Sequence, residues 1–226
     1  MWLLNSSIGR KLIMSITGVF LVLFLLFHMS MNLVLLFSTE GYDWICEMLG
    51  ANWYAVAATL VLAGGVAIHF IYGTWLTLLN RKARGSEKYS SGNGTKTEWA
   101  AKNMYVLGLV ILLGLLLHLI HFWYKMQFAE LIHWDDAVVH GSGLVIALFS
   151  KGIYVAVYLV WLAALWFHLT HGIWSGFQTL GWNGKIWFSR LKVISNVIAT
   201  LIMLGFAAVP VFFFIKSICD GTMTLI

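Results

Sequence analysis

Four histidines, His28, His69, His121 and His168, sit in the middle of four separate apolar runs. His118 and His171 lie three residues away on the last two. An imidazole in hydrocarbon is costly without a partner, so ionisable residues at membrane depth point to function. An interhelical hydrogen bond would account for any one of them. Four at matched depths, one per run, point instead to paired axial ligation of two iron porphyrins. Iron held by two histidines has no open coordination position, which suits electron transfer rather than oxygen chemistry.

The elements that must position these rings are membrane helices. The chain has 226 residues, 61% of them hydrophobic and 10% charged, with one proline. Mean hydropathy is +0.86, outside the range of soluble domains. Five apolar stretches, about 12–37, 53–80, 100–124, 152–178 and 191–217, are long enough to cross a bilayer. The expected fold is therefore an all-α integral membrane protein, a single unit over residues 1–226. Its core would be a four-helix bundle holding two stacked haems b, with a fifth, peripheral helix. The first stretch is too long for a secretory signal and lacks a small-residue cleavage site.

Charge gives the orientation. Arg10, Lys11, Arg81, Lys82, Arg84, Lys88, Lys96, Lys102, Lys185, Arg190 and Lys192 make up eleven of the fourteen basic residues. All fall on one side, with only Glu87 and Glu98 among them. The opposite side holds Lys125, Lys151 and Lys216 against Glu40, Asp43, Glu47, Glu130, Asp135, Asp136 and Asp220. The positive-inside rule then sets the N-terminus in the cytoplasm and the C-terminus outside. Trp44, Trp53, Trp99, Trp134, Trp182 and Trp187 fit interfacial belts. The net charge of +5 reflects this inner excess and contact with anionic lipid, not nucleic-acid binding.

Cys46 and Cys219 both fall on the outer side, and no C-x-x-C or C-x-x-C-H motif is present. Two isolated apolar thiols are expected rather than a disulfide. Arg81–Thr97 reads as a polar inner loop, and the connection from Met126 to Ser150 as a surface segment carrying a short amphipathic helix. Pro210 should kink the last span.

Depth follows from the flanking charges at 1.5 Å of rise per residue. His28 lies 17 residues from Lys11 and 12 from Glu40, and His121 lies 19 from Lys102 and four from Lys125, so both are outer. His69, 12 residues from Arg81, is inner, and His168, 17 from both Lys151 and Lys185, is central. Residues three apart on a helix share nearly the same face. Spacing therefore leaves His118 or His121, and His168 or His171, as alternatives. Gly64, Gly65, Gly114 and Gly172 would let a flat macrocycle approach the backbone, although membrane helices also use glycine for packing.

Over nearly its whole length the chain resembles the diheme cytochrome b membrane-anchor subunit of succinate dehydrogenase and fumarate reductase. The resemblance rests on five spans, on the R-K-L-x-x-S-I-T-G start from Arg10 to Gly18, and on the stretch from Phe167 to Ser175. That stretch is similar to the family's F-H-x-x-x-G-x-W-S signature, whose histidine is a ligand, which prefers His168 over His171. His121, followed by Phe122 and Trp123, matches the family's third-span ligand.

The resemblance implies that His28 and His121 hold an outer haem and His69 and His168 an inner one, with His118 and His171 as propionate or quinone contacts. It also implies a flavoprotein and an iron–sulfur subunit on the cytoplasmic face, electron exchange with membrane quinone (most readily menaquinone), and a bacterial cytoplasmic membrane. Some members carry a glutamate two residues before the fourth-span ligand; here Trp166 stands there, and no acid lies within any span. Glu47 is the nearest equivalent of a quinone-site glutamate found in some relatives. His133, Asp135, Asp136 and His140 on the outer side are weaker candidates, and a second site could lie near His171 and Gln178. Propionate partners are sought among Lys125, Arg81, Lys185 and Arg190.

Other readings compete. A nitrate reductase or hydrogenase cytochrome b is one, but the nitrate reductase type draws ligands from its last span, and 191–217 holds no histidine. A haem-free transporter with a histidine relay normally also needs intramembrane carboxylates or arginines. A bare structural anchor predicts no visible absorbance. No Rossmann fingerprint or P-loop is present, so dicarboxylate chemistry lies outside this chain.

Overall fold

The computed structural model describes residues 6–84, 99–182 and 184–224. The described residues form no sheet and seven α-helices longer than a single turn: α1 Ser7–Leu33, α2 Thr39–Met48, α3 Trp53–Arg84, α4 Trp99–His118, α5 Ser142–Phe149, α6 Gly152–Thr179 and α7 Lys185–Cys219, with one further turn of helix at Ala129–Leu131. A 3-10 turn, Val34–Leu36, extends α1. A ten-residue π-helix, Leu119–Phe128, extends α4.

Five helices are long and apolar enough to cross a membrane, so this is a multi-pass membrane protein. Helices are favoured there because they satisfy every backbone group internally. Side chains cap α1 and the short α2: Ser6 Oγ accepts from Gly9 N at 2.9 Å, and Ser38 Oγ from Gly41 N at 2.9 Å. The polar loop expected at Arg81–Thr97 is helical as far as Arg84 and otherwise lies outside the described residues.

Four helices form a ring in the order α1–α3–α4–α6, each touching the next. The diagonals, α1 with α4 and α3 with α6, scarcely meet among the described residues. The α3–α4 side is the weakest, and α7 lies over the α1–α6 side. The fifth helix lies outside the ring of four but packs closely against it. It makes the most extensive contact in the molecule, with α6, and carries the fully buried Ser195, Ala199 and Ile202. A 35-residue helix that runs through a buried Pro210 seals one flank.

Both apolar clusters among the described residues lie on that flank. One gathers Leu35, Tyr42, Phe149, Tyr158 and Phe213 towards the acidic end, and the other joins Leu169 and Ile173 to Ala199 and Ile202. The most apolar windows of α6 and α7 are each 28% buried, against 6%, 11% and 6% for α1, α3 and α4.

The acidic end is knitted by polar contacts. Asp43 on α2 caps α5 from another element, its two oxygens accepting from Ser142 N at 2.8 Å and Ser142 Oγ at 2.7 Å. A carboxylate at a helix N-terminus satisfies free N–H groups and opposes the dipole. α5 carries no charged residue, so it is an apolar plug and not the amphipathic helix the sequence led us to expect. The first residues after α5 pair with the C-terminus, Gly152 N donating to Thr224 O at 3.1 Å.

Cys46 and Cys219 are free, the first half-buried and the second exposed. Burial raises the Cys46 thiol above its usual value, so it stays protonated and unreactive at neutral pH. A maleimide should therefore label Cys219 readily and Cys46 slowly in the folded protein. Equal rates in a time course read by mass spectrometry would contradict this packing.

Candidate haem-binding site

The ring helices bring the histidines together in two pairs. The His69 and His168 rings stand 6.3 Å apart, centre to centre, inclined by 69°. The His28 and His118 rings stand 5.8 Å apart, inclined by 86°. Each pair joins diagonally opposite helices, so the rings meet across the centre where the backbones do not. Metal–imidazole bonds run about 2 Å, so two rings on opposite faces of one metal have centres about 6 Å apart. Both pairs match that span. Thr17, which bonds His69, precedes His28 by eleven residues on α1, so the pairs stack about 16 Å apart along the bundle.

His118, not His121, faces His28. His121 Nδ1 is 3.0 Å from the Tyr158 hydroxyl, and the two rings stack at 5.9 Å and 19°. The π-helix begins at Leu119, between the two histidines. Its i→i+5 bonding turns less per residue than an α-helix and re-aims everything beyond the junction, and such insertions recur at functional sites. On α6, His168 faces His69, whereas His171 packs edge-on against Trp174 at 4.8 Å.

The Thr17 hydroxyl lies 3.1 Å from His69 Nδ1, and also within reach of Ile13 O at 2.9 Å and Met14 O at 3.1 Å. A hydrogen bond at Nδ1 leaves Nε2 as the nitrogen open to a further ligand. Metal-binding histidines are typically held by such an outer hydrogen bond. In each pair the other ring has a buried nitrogen without any partner, His118 Nδ1 and His168 Nδ1. Buried imidazole nitrogens normally find partners, and these two have none among the described residues. The two ring separations and the Thr17 contact fit a pair of bis-imidazole haems.

The glycines divide. Added methyl groups at Gly65 and Gly114 would strike Phe20 and Trp161, so these two serve helix packing. Gly64 faces open space. Trp161 itself donates to Ile111 O at 3.0 Å and leans on His118, their centres 5.8 Å apart. Trp166 donates to Thr200 on α7 at 3.0 Å, out of the ring.

Elsewhere, Glu47 is exposed at the acidic end. Arg81 lies over Tyr105 and Arg190 over Trp187, each 5.8 Å from the ring centre. His133 takes a positive φ of 54° and lies with Asp135, Tyr124 and Trp134 around a pocket of about 400 Å³ at the acidic end. Trp134 N donates to Ala129 O at 2.9 Å there, the bond that closes a helix C-terminus around a left-handed residue.

Sequence reasoning missed Thr17, Tyr158 and Gln127. Gln127 is buried and takes bonds from Thr59 and Trp123, both at 2.9 Å, while donating to Gly50 O at 2.8 Å. No periodicity marks these residues, because their roles depend on neighbours distant in the chain.

Comparison with protein-family models, curated proteins and solved structures finds no match.

Proposed function

We propose that the chain is a diheme cytochrome b of the membrane. The observation that carries this reading is the two histidine ring pairs, each joining diagonal helices at the separation a shared iron requires. His28 with His118 would hold one haem towards the acidic end, and His69 with His168 the other towards the basic end. Haem held in this way supplies one-electron transfer with no site for an exogenous ligand. Thr17 holds the His69 ring through its Nδ1.

Within that class, the resemblance carried by Phe167–Ser175 and by the Arg10–Gly18 start supports the membrane anchor of a succinate:quinone oxidoreductase. The basic end, on the cytoplasmic side in this reading, would carry the iron–sulfur subunit and the flavoprotein. Quinone would exchange protons at the acidic, outer end, where Glu47 is an exposed carboxylate. The lack of histidine in α7 favours this family over the nitrate reductase type.

The test is a dithionite-reduced minus oxidised spectrum with pyridine haemochrome quantification on the purified chain. Two b-type haems per chain are expected, falling to one with His69→Ala or His168→Ala. Folded protein without haem would remove the cytochrome reading. Haem-containing protein that purifies from its native membrane without a flavoprotein and an iron–sulfur subunit would remove the narrower one.

A further inference from the structure

We infer that Arg10 is the binding group for a propionate carboxylate of the haem held by His69 and His168; the inference rests on the cytochrome reading above. Arg10 precedes His28 by eighteen residues, five whole helical turns, so it lies on the same interior stripe of α1. Thr17, the partner of His69, lies between them on that stripe. Arg10 is seven residues before Thr17, about 10 Å closer to the basic end. A carboxylate hanging from a macrocycle at the level of His69 would reach towards it.

The side chain finds no anionic partner among the described residues. Its guanidinium carbon lies 5.2 Å over the Trp75 ring on α3, which holds the group against that helix. Its Nε is buried without a hydrogen-bond partner, and the adjacent residue on α3, Thr74, has a buried hydroxyl in the same condition. These two and the nitrogens of His118 and His168 are the only such atoms among the described residues. Every described Asp and Glu lies at the opposite end of the bundle. Guanidinium matches carboxylate with paired donors in a fixed fork, which a lysine does not reproduce. Lys11, exposed beside it, is off the stripe.

The experiment is a potentiometric titration of both haems in the purified protein, comparing Arg10→Gln, Arg10→Leu and Lys11→Gln. Loss of the cation beside the haem should favour the oxidised form. The expected result is a shift of about tenfold in the reduction equilibrium of the His69–His168 haem, about 59 mV downward for one electron. The other haem should not move, and Lys11→Gln should leave both unchanged. His69→Ala identifies which wave is which. Two retained haems with unmoved potentials, or equal shifts in Arg10 and Lys11 variants, overturn the role of Arg10 alone, as does a bound lipid phosphate filling that position. A wild-type protein without haem overturns the cytochrome reading itself.

Discussion

His118→Ala should lose one of the two haems, while His121→Ala should keep both. Spacing treats these residues as equivalents, and the family resemblance implies His121. The geometry separates them. The His118 ring is 5.8 Å from the His28 ring, whereas His121 is committed to Tyr158 at 3.0 Å. Haemochrome quantification should read half the wild-type haem for His118→Ala, matching His28→Ala. In His121→Ala, the Tyr158 hydroxyl loses a partner in a largely buried site, a cost of about 1–3 kcal/mol in stability. Haem stoichiometry should nevertheless stay at two. The opposite pattern, with haem lost on replacing His121 alone, would mean that the π-helix unwinds when haem binds and that the resemblance assigns the ligand correctly.

Gln127→Ala should produce the largest loss of stability from a single residue outside the histidine pairs. The Gln127 amide is buried and joins four partners: Thr59, Trp123, Gly50 O, and Leu49 O at 3.4 Å. Truncation leaves several of them unsatisfied at about 1–3 kcal/mol each, so a loss of about 3 kcal/mol or more is expected. The same bonds tie the far end of the π-helix to the turn before α3, so the variant should also loosen the His118 site. Thermal melts in detergent, followed at the haem band and by intrinsic fluorescence, check both effects. A melting temperature within error of wild type would show that this network does not hold the acidic end together.

What the sequence determined by itself was the part fixed by hydropathy and charge. Five apolar runs became five long helices, because transfer of apolar side chains and internal backbone pairing act locally, without reference to any neighbour. The segregation of basic and acidic residues to opposite ends was legible for the same reason. The histidines stood out because their polarity contradicts their surroundings.

Which histidine faces which was decided only in three dimensions. A π-helix starting at Leu119 rotates His121 away from the line of His118, and its phase is anchored by Gln127 on a turn 77 residues earlier in the chain. The fifth helix lies outside the ring of four and carries the best-packed seam, which composition does not reveal, since burial depends on the opposing surface of α6. Arg10 read as a positive-inside anchor because a charge count ignores azimuth. Its alignment with His28 acquired meaning once α3 and α6 enclosed that face and left its Nε without a partner.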